Sequence, residues 1–230
     1  MPWKEIPGTL TRISAGSVTN VWGVNSASDV FRYTGNDKNP WVQIPGCSLT
    51  DISAAADGTV WGINSSGDIF RFTWDSKHWT KIPGTLKQIS AGSSKDVWGV
   101  NAAGDVFRYT GDDSNPWTQI PMPGTFTEVG AGADGTVWGV HSTSNVYYYV
   151  QDRWGNRWVK YSDPTLAAIS VGIKTNVWGV NKAGDIFTYT ASNDKPWAHI
   201  AGGLVDIGAG VDGVVWGVNS DGKIFRWIRD

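Results

Sequence analysis

The sequence predicts an all-β fold, a six-bladed β-propeller with four antiparallel strands per blade, and two observations carry that reading. The first is a block, Val21-Trp22-Gly23-Val24-Asn25, that returns from Val60 to Asn64, Val97 to Asn101, Val137 to His141, Val177 to Asn181 and Val215 to Asn219. Its tryptophans stand 39, 37, 40, 40 and 38 residues apart. A fixed period in the range of about 20–50 residues marks solenoids and propellers. The second is that each unit reads as four short strands, with no helical period in any of them. Four-stranded sheets repeated radially are propeller blades. An open stack of the same units would need polar end caps, and none is evident.

The third unit shows each element in turn. Leu86 to Gly92 is short, small and apolar, which suits the crowded innermost strand around an axis. Ser93 to Asp96 is a polar turn. Val97 to Asn101 is the second strand, with Trp98 and Val100 on one face and Val97 and Gly99 on the other. Ala102-Ala103-Gly104-Asp105 turns the chain back, as Ser65-Ser66-Gly67-Asp68 does one unit earlier. Val106 to Thr110, β-branched and aromatic, is the third strand. A polar loop from Gly111 to Pro116 leads to the outer strand, Trp117 to Ile120, which ends near Pro-Gly in several units. One blade cannot bury both of its faces, so the repeated tryptophan is expected to fill the space between neighbouring sheets.

The ends predict how the ring closes. The chain ends on a third strand, Ile224 to Trp227, with no outer strand after it, and begins with an orphan outer strand, Trp3 to Ile6. The Pro-Trp pair of Pro40-Trp41, Pro116-Trp117 and Pro196-Trp197 is present at Pro2-Trp3. Residues 1–8 are therefore expected to complete the blade formed by about 203–230, so that residues 1–230 make a single propeller.

Composition excludes several partners. The formal net charge is −2, with 19 Lys and Arg scattered among 21 Asp and Glu. No basic stripe is available for nucleic acid. No apolar run reaches the ~18 residues needed to span a bilayer. The amino terminus has no apolar signal segment, and the expectation is a cytoplasmic protein acting on ingested or invading organisms. The single cysteine, Cys47, can form no intramolecular disulfide.

Enzyme chemistry finds no footing. His78, His141 and His199 fall in no metal-ligand spacing, and there is no nucleophile elbow or phosphate loop. Catalysis needs a unique constellation, whereas this chain repeats its features. No catalytic residue, metal or cofactor is expected. The recurring polar residues are the candidates for binding. Asn25, Asn64, Asn101, Asn181 and Asn219 end the second strand, and Asp29, Asp68, Asp105 and Asp185 close the following turn. Arg32, Arg71, Arg108 and Arg226 alternate with strand aromatics, and Tyr33, Tyr109 and Tyr189 follow. Each has a plain structural alternative: Asx turns for the amides and carboxylates, a solvated or cation–π-packed face for the arginines, blade packing for the tyrosines. Taken together in one neighbourhood, they supply what a sugar needs, planar polar groups for vicinal hydroxyls and an aromatic for its C–H face. An apolar notch between blades could also take a methyl substituent. Unit four departs, with His141 for Asn, Asn145 for Asp, Tyr148 for Arg and a loop from Gln151 to Arg157 in place of Asn-Pro. Unit five has Thr188 for Arg, and unit six has Lys223 for Asp. A ligand held by these residues should find the fourth site altered and the first three best.

The Val-Trp-Gly-Val-Asn, Gly-Asp-Ile-Phe-Arg-Tyr-Thr and Pro-Trp-x-x-Ile-Pro-Gly blocks resemble tectonin repeats over essentially the whole chain, and most of all those of the small six-repeat fungal tectonins. The resemblance implies a propeller lectin. It also implies O-methylated glycans, such as methylated mannose or fucose on bacterial and nematode surfaces, as ligands, and a role in defence. Some animal members bind lipopolysaccharide, so the alternatives are a lipopolysaccharide-binding propeller or a protein-interaction scaffold. Homo-oligomerisation is left open.

Overall fold

The computed structural model describes residues 2–161 and 163–228. It contains six four-stranded antiparallel sheets. Blade one comprises Arg12–Ser17, Asn20–Val24, Val30–Tyr33 and Trp41–Ile44, from the axis outwards. Blades two to five repeat this order. Blade six takes three strands from the carboxy-terminal part, Asp206–Ala209, Val215–Val218 and Lys223–Trp227, and its outer strand, Trp3–Thr9, from the amino-terminal part. Trp3 lies opposite Trp227, Lys4 opposite Arg226 and Ile6 opposite Ile224. The ring closes as the orphan strand predicts.

Alternation along the strands sends side chains to opposite junctions. Trp61, Ile63 and Ile69 of blade two pack against Leu86, Ile89, Val97 and Tyr109 of blade three. Trp98, Val100 and Val106 point the other way, onto Phe126, Val129 and Val137 of blade four. Each junction therefore holds its own apolar cluster, and burying one large apolar side chain contributes about 1.5–3 kcal/mol. The small residues of the inner strands are required by close approach. A Cβ added to Gly92 would sit 2.2 Å from the carbonyl oxygen of Gly132 in the next blade.

Each innermost strand is a sheet edge facing the axis, so its free N–H groups need acceptors. The neighbouring blade supplies them from side chains. Ser14, Ser53, Ser90 and Ser170 accept from the amides of Ala54, Ala91, Ala131 and Ala209 at 2.8–2.9 Å. One turn of the pleat away, Asp51, Gln88 and Asp206 accept from Ile89, Val129 and Ile13 at 2.9, 3.0 and 2.7 Å. These bonds tie the blades together around the axis.

The same ring concentrates charge, because Asp51, Glu128 and Asp206 share the axial space with one cation, Arg12. Burial pushes the Glu128 carboxyl up to about 8 and Asp51 up to about 6, with Arg12 opposing and the other carboxylates adding to the rise. A carboxyl raised in the folded state stays protonated there while its unfolded counterpart ionises. Its stabilisation is thus greatest below the ordinary carboxylate range and falls as pH rises through the folded value. Glu128→Gln should therefore flatten the decline in melting temperature between about pH 5 and pH 8 and raise it at pH 8. An unchanged slope would show that Glu128 is ionised in the folded ring.

Two details differ from the sequence reading. The inner strand of blade three is shorter, Gln88–Ala91, because Leu86 and Lys87 serve the linker, donating to the carbonyls of Gly67 and Val100. In blade four the expected loop from Gln151 to Arg157 is mostly strand: Val146–Asp152 pairs with Gly155–Tyr161, and Asp152 lies opposite Gly155. Without Asn-Pro to break it, the ladder continues to a two-residue turn.

Candidate functional site

The antiparallel order of a blade places its connections on two faces. The hairpins between second and third strands share one face with the blade-to-blade linkers. The turns between first and second strands and the loops between third and outer strands share the other. Because the third strand of blade one is four residues long, and each residue rises ~3.3 Å, Asp29 and Arg32 are roughly 10 Å apart along it. The expected single neighbourhood therefore divides in two.

On the hairpin face the amides and carboxylates lock turns. Asn25 Oδ1 accepts from the amides of Ala27 and Asp29, and its Nδ2 donates to Asp29 at 3.1 Å. Asn64 with Asp68 and Asn181 with Asp185 repeat the arrangement in full. Asn101 repeats the two bonds to Asp105. Asn219 differs: its Oδ1 accepts from Asp221 and Lys223, but with Lys223 in the carboxylate position its Nδ2 has no partner among the described residues. Beside each of several such hairpins stands an indole held by a linker. Trp41, Trp117 and Trp3 donate Nε1–H to the carbonyls of Pro7, Pro83 and Ala201 at 2.9, 2.8 and 3.0 Å. The glycine after each carbonyl lets the ring approach: a Cβ on Gly8 or Gly84 would fall 2.8 Å from the indole. This accounts for the recurring Pro-Gly.

The hairpin-face junction between blades five and six is open. A pocket of about 260 Å³ between blades five and six is lined by Trp3, Phe225, Asn219, Ile186 and the Gly202-Gly203-Leu204 linker. Gly203 occupies the position of Thr9 and Thr85 in other linkers, and a Cβ there would meet nothing within 4 Å.

The arginines and tyrosines belong to the loop face, where Arg71 and Arg226 each meet the next blade's tyrosine, not their own. Each lies directly across the ladder from the repeated tryptophan, as Trp61 does from Arg71, so the guanidinium settles on the ring: 5.4 Å for Arg71 over Trp61, 5.4 Å for Arg108 over Trp98 and 5.3 Å for Arg226 over Trp216. Arg71 then forms a bidentate pair with Asp113 at 2.9 and 2.8 Å and reaches the Tyr109 hydroxyl. Arg226 does the same with Asp37 and Tyr33, joined by Lys4. At Asp37 burial alone would raise the carboxyl, but the bonds from Lys4, Tyr33 and Arg226 outweigh it and hold the group at about 2. Arg108 pairs instead with Asp96 of its own blade at 3.0 Å, and Arg32 lies over Trp74 of blade two at 4.5 Å. Tyr189 has no arginine partner among the described residues; its hydroxyl stands 3.3 Å from that of Tyr161, and burial, then Tyr161, push it up to about 12.

Sequence reading missed Asp37, Asp113 and Asp96, and the signal was present. Asp37 and Asp113 each follow a strand tyrosine by four residues. Among the described residues, no group of three or more His, Cys, Asp or Glu is placed to hold a metal ion.

A tectonin-domain family model matches residues 1–127 and residues 113–230, which together span the chain. No curated protein matches it. Solved structures share the architecture at low identity. A chain in the "Crystal Structure of Mitotic Checkpoint Complex" has a TM-score of 0.68 at 10% identity, covering 99% of this chain and 91% of that one. "Streptogramin B lyase structure" gives 0.64 at 19%, covering 93% and 77%. "YCF48 bound to D1 peptide" gives 0.60 at 14%, covering 100% and 96%. These likenesses show the propeller fold alone.

Proposed function

We propose that this chain, which belongs to the tectonin family, is a multivalent carbohydrate-binding lectin that recognises O-methylated glycans at notches between blades on its hairpin face. The observation that carries the reading is the pocket between blades five and six, where an uncommitted amide at Asn219 borders an apolar notch built from Trp3, Phe225 and Ile186. The amide suits a sugar hydroxyl. The indole and phenyl rings suit a C–H face, and a methyl group entering the notch would add about 0.8 kcal/mol. Single sites of this kind are weak, and a rigid ring displaying several of them gains by avidity. Methylated mannose or fucose on bacterial or nematode surfaces, and a role in defence, are the ligand and setting that family membership favours. The tight ion pairs of the loop face, by contrast, already use their guanidinium and carboxylate groups on each other. They are assigned to holding blades together.

Gly203→Thr tests the site. It places in this linker the side chain that Thr9 and Thr85 carry, so the fold should tolerate it. The number of methyl-sugar sites per chain, read by calorimetry, should fall by one while the melting temperature stays unchanged. The same stoichiometry in the variant would move the binding site away from this notch.

A further inference from the structure

The loop-face junction between blades four and five lacks both members of the ion pair found elsewhere. Tyr148 stands where Arg71 and Arg226 stand, directly across the ladder from Trp138. Asn193 stands four residues after Tyr189, where Asp37 and Asp113 follow their tyrosines. A pocket of about 340 Å³ opens there. Three rings line it: Trp138 and Tyr148 from blade four and Tyr189 from blade five, with centroids 5.1 and 4.9 Å from that of Trp138. Lys174, Thr175 and Thr136 complete the lining.

The chain itself shows what the equivalent tryptophan faces bind. In blades two, three and six a guanidinium lies 5.3–5.4 Å from the indole centroid, the separation at which a cation is attracted by the ring quadrupole. At this junction the rings remain and have been increased, but the cation and its counter-ion are gone. Tyr148 covers the Trp138 face that a guanidinium covers elsewhere, leaving Trp138 2% exposed, so a ligand cation would meet the half-buried rings of Tyr148 and Tyr189. The lining has no carboxylate and one ammonium, Lys174, so a bare cation meets repulsion at the mouth. A zwitterion, with its positive end among the rings and its negative end on Lys174, meets none. A lining dominated by rings and without a carboxylate also favours a methylated ammonium, which needs no hydrogen-bond partner, over a primary amine, which needs three.

We propose that the pocket between blades four and five is a second binding site, for phosphocholine groups: the trimethylammonium lies against the rings of Tyr148 and Tyr189 beside the buried Trp138, and the phosphate meets Lys174 and the Thr175 hydroxyl. The site is on the face opposite the sugar notch and uses none of its residues, so it stands or falls independently of the carbohydrate reading.

Titration of the full chain with phosphocholine, followed by calorimetry and tryptophan fluorescence, tests it. Saturation at one phosphocholine per chain is expected, with choline and inorganic phosphate each weaker by about tenfold or more. Tyr148→Arg restores the guanidinium that blades two and six carry at this position, though not its counter-ion, and places a cation in the box. It should keep the fold, lose phosphocholine binding and leave methyl-sugar binding as it was, whereas Gly203→Thr should do the reverse. Lys174→Gln should bring phosphocholine down to the level of choline. Retention on phosphatidylcholine vesicles, in addition to soluble binding, would identify a lipid source; soluble binding without it would identify a glycan-linked or free group. No saturable phosphocholine binding, or binding that survives Tyr148→Arg, would overturn the assignment. So would occupation of this pocket by an acidic sugar in preference to phosphocholine.

Discussion

Removal of residues 1–8 should abolish the single cooperative unfolding transition of the ring, or lower its midpoint by more than about 10 °C. These residues do more than extend an edge. Ile6, 1% exposed, belongs to the cluster between blades six and one, and Trp3 packs into the cluster between blades five and six. The strand also pairs with Lys223–Trp227, which would otherwise present an open edge. Burial of two large side chains contributes about 3–6 kcal/mol, and each ladder hydrogen bond adds about 1 kcal/mol. That is a large share of the ~5–15 kcal/mol by which domains are stable. Thermal circular dichroism of the truncated chain provides the check, and a synthetic peptide of residues 1–9 should restore part of the loss. An unchanged midpoint would mean that the ring does not depend on this closure.

Trp61→Ala should cost about 3–5 kcal/mol, or on the order of 10 °C for a domain of this size. Trp61 is fully buried and packs edge-on to Tyr109 and Trp117 of blade three, with Arg71 over its face. Its Nε1 has no hydrogen-bond partner among the described residues, so the loss is one of packing and cavity formation. Arg71→Ala removes only a partly exposed ion pair and should cost about 1–2 kcal/mol, through Asp113 left without its partner. Denaturant unfolding of the two variants separates the effects. Equal losses would make the arginine, and not the tryptophan, the main tie between blades.

Blade count, strand order and ring closure were legible because six imperfect copies correct one another: a substitution such as His141 or Thr188 leaves five other units to show the pattern. The candidate site was half legible. Asn25, Asp29, Arg32 and Tyr33 are close in sequence, and proximity along the chain suggested one cluster. A four-residue strand is long enough to carry them to opposite faces, and the twofold alternation then delivers Arg71 and Tyr109 from different blades to one junction. No single repeat contains that pairing. The hairpin of blade four was hidden by Gly155-Asn156, which reads as a loop signal until the turn at Arg153-Trp154 is seen to precede it. The open notch depended on the absence of a side chain at Gly203, which acquires meaning only beside Thr9 and Thr85 in the folded ring.

Calorimetric titration of the protein with methyl-substituted and unsubstituted monosaccharides tests the central proposal most directly. Weak binding at several sites per chain, seen with the O-methyl sugar and not with its unsubstituted counterpart, is the predicted result. No heat with either sugar would contradict the methyl-glycan reading and direct the search to lipopolysaccharide or to a protein partner.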